Sequence, residues 1–138
     1  MPTDLERQSS ELVVQAARLV RAVRRRVGHP SGIRILALLD ELGPLGVTAL
    51  ADADRSSQPT VSGAVQQLVE EGWVAKEADP NDARRALVEL TPPGRERLRE
   101  FRRDNGKAVA ERLAGTGHTV EDVARAVAVL RDAMDERL

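Results

Sequence analysis

Gln58, Thr60, Ser62 and Gln66 set short hydrogen-bonding side chains along a segment whose apolar residues, Val61, Ala64, Val65, Leu68 and Val69, recur at helical spacing. Ser57 precedes it as an N-cap, and Pro59 is tolerated in the first turn, where its missing N–H has no bond to make. A helix start offers unpaired N–H groups to anions. Hydroxyls and amides around such a start suit contact with phosphate oxygens and base edges. A helix about 10–12 Å across also matches a major groove about 12 Å wide. A second group follows at Asp79-Pro80-Asn81-Asp82, where Arg84 and Arg85 come just after a carboxylate on a projecting turn. Asp82 can orient the Arg84 fork toward a minor groove, where the potential is most negative.

Other chemistries are poorly supplied. His29 and His118 are the only histidines, and both sit beside glycine, proline or threonine in expected loops. Nucleophile elbows, zinc-protease helices, phosphate loops and paired carboxylates are missing from the sequence. With no cysteine there is no disulfide, thiol sensor or cysteine-ligated zinc. An enzyme is therefore not expected, nor is a metal site or a cofactor.

The elements that must hold these residues are readable from periodicity. Asp4 to Val27 carries an apolar stripe at Leu12, Ala16, Leu19, Val20, Val23 and Val27, ended by Gly28-His29-Pro30. Ser31 is placed to cap a second helix with Ile33, Leu36, Ala37 and Leu39, stopped by Gly43-Pro44. Val47 to Ala53 reads as a short third helix, and Gly72 ends the fourth. The period then changes to that of strands at 73–76 and 86–90, flanking the Asp79–Asp82 turn. Thr91 caps a long helix from Pro92, with Leu98, Phe101, Ala108, Val109 and Leu113 inward and Gly106 a weak point. Thr119 and Asp122 form a capping box for a last helix bearing Val123, Val127, Leu130 and Met134.

At 138 residues this is one domain's worth of chain, and Trp73 and Phe101 are its only aromatics. A core of Leu, Val, Ile and Ala favours helix-on-helix packing, and a chain so poor in bulky residues is expected to complete its core by oligomerising. Net charge is −1, without the overall basic excess of many nucleic-acid binders. The charge is segregated, however. Arg18, Arg21, Arg24, Arg25, Arg26 and Arg34 occur with no acid among them, and arginines dominate 84–103. Acids concentrate in Asp40–Asp54 and Glu121–Glu136. The N-terminus lacks a signal-peptide pattern, and the longest apolar run, Ile35–Leu39, is too short to span a bilayer. A cytoplasmic protein without membrane contact is expected.

Helix, helix, short helix, polar-faced helix, hairpin and two closing helices make a winged helix-turn-helix, mainly α with a small two-stranded β wing. The ordered fragments Ser57-Gln58-Pro59-Thr60-Val61-Ser62, 68–74, 79–84 and 87–94 resemble the multiple antibiotic resistance regulator (MarR) family. That resemblance implies one domain over 1–138, with the winged part at about 31–91 and dimerisation helices at about 4–27 and 92–138. It implies a homodimer binding a pseudo-palindromic operator on double-stranded DNA, a repressor relieved by a small-molecule effector. The DNA-contacting set would be Ser57, Gln58, Thr60, Ser62, Gln66, Arg84 and Arg85, with Asp82 orienting the wing. An effector pocket would lie near the first, second and fifth helices, where Arg26, His29 and Arg34 are candidates; these can equally be solvated charges or phosphate contacts. Gly63 stands where the family commonly has a basic residue. Asp54, Arg55 and Ser56 replace the apolar residues and glycine of the helix-turn-helix turn, which predicts a looser turn. These departures and the acidic average also suit an alternative, a winged-helix protein-interaction module that has lost DNA binding.

Overall fold

The computed structural model describes residues 1–135; Glu136 and the last positions of the expected dimerisation region 92–138 lie outside the described residues. The order is α1 (Asp4–Val27), α2 (Ile33–Leu42), α3 (Val47–Asp54), α4 (Gln58–Glu70), β1 (Val74–Asp79), β2 (Asp82–Leu90), α5 (Pro92–Leu113) and α6 (Val120–Ala133). Capping fixes several of these starts. Ser57, Thr91 and Thr119 each accept a bond from the N–H three residues on, and Thr119 with Asp122 completes a capping box. Thr3 and Glu6 form a further capping box at α1.

The second helix starts differently from the sequence expectation. Gly32, not Ser31, occupies the N-cap, with φ +79 and no side-chain cap. The left-handed backbone there favours glycine, and a Cβ would come 2.8 Å from Leu68 Cδ2, so a side chain would also have to displace the end of Leu68.

The core sits inside the winged part. Leu36 of α2, Leu50 of α3, Val61, Val65 and Leu68 of α4, Val88 of β2 and Leu98 of α5 are almost wholly enclosed. Val69, expected in the buried stripe of α4, is 39% exposed. It lies one residue past Leu68, where the stripe has turned toward solvent.

The wing is longer than the sequence indicated. β1 and β2 pair antiparallel from Val74↔Leu90 to Ala78↔Ala86, and a register shift at Ala78/Asp79 precedes the turn. Leu45 adds a short third rung: its N–H and C=O bond to the carbonyl and amide of Val88 at 3.1 and 2.8 Å. The hairpin is thereby tied to the α2–α3 connection as well as to α4.

The outer helices are barely covered. Within the chain, α1 buries only Val23 and α6 buries nothing, although both are amphipathic. Leu5, Val13, Val14, Val120, Val129 and Met134 face solvent. Among the described residues no helix is long and apolar enough to cross a membrane.

Candidate nucleic-acid interface

The polar face of α4 is built from its start. Ser57 Oγ accepts the Thr60 N–H at 3.2 Å and lies 2.7 Å from Thr60 Oγ1, so both hydroxyls hold the helix end. Gln58 is tied sideways, its Nε2 donating to Thr48 Oγ1 of α3 at 3.1 Å. Ser62 and Gln66 are exposed and make no hydrogen bond within the described residues. At about 100° per residue Gln66 falls on the face turned away from Val61, Val65 and Leu68, with Ser62 and Thr60 at its two edges and Gln58 nearer the buried stripe. All of the sequence-predicted side chains of α4 are exposed, but only Ser62 and Gln66 are unengaged.

The turn between α3 and α4 is closed by polar contacts in place of the family's apolar ones. Asp54, only 13% exposed in its side chain, meets Arg34 Nε at 3.0 Å. Ser56 Oγ donates to Asp54 Oδ2 at 2.5 Å, and the Ser56 N–H bonds to Ala51 O at 3.0 Å. Arg55 takes the left-handed conformation, φ 56, the only non-glycine among the described residues to do so. The expected looseness is thus offset by a shared carboxylate, and Arg55 projects a charge from the turn.

On the wing, Arg84 and Arg85 are 94% and 78% exposed in their side chains. Asp82 Oδ1 accepts the Arg84 N–H at 3.0 Å and lies 3.5 Å from Arg84 Nε, while Oδ2 lies 3.7 Å from Arg85 Nε. One carboxylate therefore stands between both guanidinium groups, loosely enough to leave their forks available. Lys76 and Arg85 also share a cleft of 380 Å³ with Thr48 at the start of α3. Sequence reasoning missed Thr48 and Lys76, because helix and strand patterns do not reveal which side chains meet across elements.

The expected effector trio is not brought together. Arg26 pairs with Glu111 of α5 at 3.1 Å and Arg34 with Asp54. His29 shares a cleft with Arg34 beside α4, and lines another of 270 Å³ between α1 and α5. Arg24, Phe101 and Asn105 join it in the second cleft, with Leu19, Val20 and Val23 as apolar walls. Its ring meets Phe101 edge-on at 6.4 Å. Partial burial, then the charges of Arg24 and Arg34, hold the His29 pKa below the ordinary histidine value. Arg24 was legible in principle: it is four residues after Val20 and so flanks the same stripe.

A helix with an open polar face, beside an arginine-tipped hairpin and behind a closed turn, is the arrangement of a winged helix-turn-helix. The MarR family model matches residues 30–86. An HTH-type transcriptional regulator of Mycobacterium bovis is 30% identical over 132 residues, spanning 93% of this chain and 92% of the relative. The chain belongs to the MarR family. Its fold is similar to that of a transcriptional regulator protein from Pseudomonas aeruginosa (TM-score 0.73, 24% identity, 97% and 99% of the two chains). It is likewise similar to a MarR family protein from Bacillus stearothermophilus (TM-score 0.72, 20% identity, 96% of each). A structure of BpsR from Bordetella bronchiseptica, described for regulation of its DNA binding by 6-hydroxynicotinic acid, aligns at TM-score 0.59 and 24% identity over 98% and 99% of the chains.

Proposed function

We propose that this regulator acts as a homodimer whose paired α4 helices read a pseudo-palindromic operator and whose wings grip the flanking duplex, repressing transcription until a small effector binds. The observation that carries the DNA-reading surface is the unengaged Ser62–Gln66 face of α4 beside the exposed Arg84 and Arg85. Ser57, Gln58 and Thr60 set the helix end against the phosphates, and Asp82 aims the wing. The winged part, about 31–91, is the reading head; the helices at about 4–27 and 92–138 pair the subunits.

Dimerisation is supported by α6, an amphipathic helix with nothing buried in its own subunit. Val123, Val127 and Leu130 keep about two-fifths of their surface exposed, as do Leu19 and Val20 of α1. A second copy covering these faces removes apolar surface from water at roughly 25 cal/mol per Å².

The effector reading rests on the α1–α5 cleft. Its apolar walls, Phe101, the Arg24 guanidinium and a buried Asn105 Oδ1 without a hydrogen-bond partner suit an aromatic acid carrying a donor group. The Bordetella protein's 6-hydroxynicotinic acid is of that class. His29, neutral at pH 7, completes the wall; Arg26 and Arg34 contribute through their ion pairs.

Selection from random duplexes, with sedimentation of the free protein, tests this reading. A dyad-symmetric site with half-sites about 10 bp apart, or a multiple of it, is expected from a dimer. A monomeric protein, or selected sites without dyad symmetry, would falsify it.

A further inference from the structure

We propose that the flank of α1 and the end of α5 carry a second anion site, separate from the DNA face and from the α1–α5 effector cleft, for a small multiply charged phosphate compound. Arg18, Arg21 and Arg25 are spaced i, i+3 and i+7, which puts their side chains in one stripe along α1. Arg112 of α5 closes the other side, and the four enclose a cleft of 420 Å³ floored by Leu19 and Ala22.

The charge of this cleft is uncompensated. None of the four arginines has an acid within ion-pair distance among the described residues. Their sequence neighbours show the contrast: Arg26 and Glu111 pair with each other, leaving Arg25 and Arg112 without a carboxylate. The arginines of α5 at 95, 97, 99, 102 and 103 each face an acid. At the rim, Gln15 donates its amide to Glu11 at 2.7 Å.

Guanidinium forks bind phosphate through paired N–H donors, and several around one concavity select for charge above one. Carboxylic acids with a large apolar body fit poorly, since the lining is polar. The stripe lies on a different side of α1 from Val13 and Val20, so pairing of subunits through those residues leaves the arginines open; Leu19 alone is shared with the pairing face and with the effector cleft. It also belongs to helices that carry none of the proposed base- or groove-reading side chains, which favours a free compound over the DNA backbone.

Titration calorimetry of the full-length protein with inorganic pyrophosphate, at low salt and against sodium chloride of matched ionic strength, tests the site. Saturable binding at one per protomer is expected. It should weaken at least about tenfold in Arg21→Gln/Arg112→Gln and in the single variant Arg18→Gln. It should persist in Arg84→Ala/Arg85→Ala, which disables the wing. Three results overturn the proposal: no saturable binding to the wild-type protein, equal binding in the cleft variants, or a cleft variant that sediments as monomer, which would assign these arginines to the subunit interface. If Arg18→Gln lowers the salt dependence of duplex binding while pyrophosphate binding is unchanged, the cleft belongs to the DNA surface and the proposal fails. Should the double variant not fold, Arg18→Gln alone decides between these outcomes.

Discussion

Gly94, in the first turn of α5, lies where that helix meets the winged part. A Cβ added there would fall 1.9 Å from the Trp73 carbonyl oxygen and 2.8 Å from its carbon, both backbone atoms. Ordinary contact needs about 3.4 Å, so Gly94→Ala must drive α5 and β1 apart by more than an ångström. That junction carries the Thr91 N–H to Trp73 O bond at 3.1 Å, the Thr91 hydroxyl to Gly72 O bond at 2.6 Å, and Arg97 over the Trp73 ring at 5.4 Å. Overpacking of this kind costs about 1–3 kcal/mol. Losing one or two hydrogen bonds adds about 0.5–1.5 kcal/mol each. A destabilisation of about 2–5 kcal/mol is expected by urea denaturation, with Gly106→Ala as the control in the same helix. A Cβ at Gly106 meets nothing within 4 Å in its own subunit, and the helix gains by about 0.5–1 kcal/mol from losing a glycine. Protein concentration must be equal, because the stability of the proposed dimer depends on it. A Gly94→Ala protein as stable as wild type would refute the claim that close backbone approach fixes the angle between α5 and the wing.

Arg84→Ala should weaken binding to every duplex and lower the slope of log K against log salt by about 1 per subunit; an unchanged slope removes Arg84 from the interface. Gln66→Ala should cost about 1–3 kcal/mol at one position of each half-site with non-specific binding nearly unchanged, and unaltered base preference at every position would contradict the reading of α4. Asp40 receives Arg102 at 2.8 Å and Arg95 at 3.0 Å, and the Arg102 hydrogen bond leads in holding its carboxyl below the usual aspartate value. A depressed carboxylate adds stability that is present at neutral pH and lost as pH falls through the folded-state value, so Asp40→Asn should flatten the stability profile below about pH 5. With the pair partly exposed, its cost at pH 7 should stay near 1 kcal/mol. His29 has the opposite chemistry but the same sign: burial favours the neutral ring, so stability should fall as pH drops below about 6.5, and His29→Gln should abolish that fall.

Sequence alone determined what depends on neighbours along the chain. Helix boundaries were legible because Ser57, Thr91 and Thr119 cap locally and because glycine and proline stop helices at fixed places. The outward face of α4 followed from period, and the hairpin from its Asp79–Asp82 turn. Only the tertiary structure decided which side chains meet across elements. Pairing of Arg26 with Glu111 and of Arg34 with Asp54 spans 85 and 20 residues respectively, beyond any local pattern. The same holds for Leu45 joining Val88 and for Gly32 replacing Ser31 at the start of α2, where the backbone turns left-handed against Leu68. The bare face of α6 is the converse case: its apolar spacing was readable, but that the rest of the described chain leaves it uncovered is decided only by the tertiary packing.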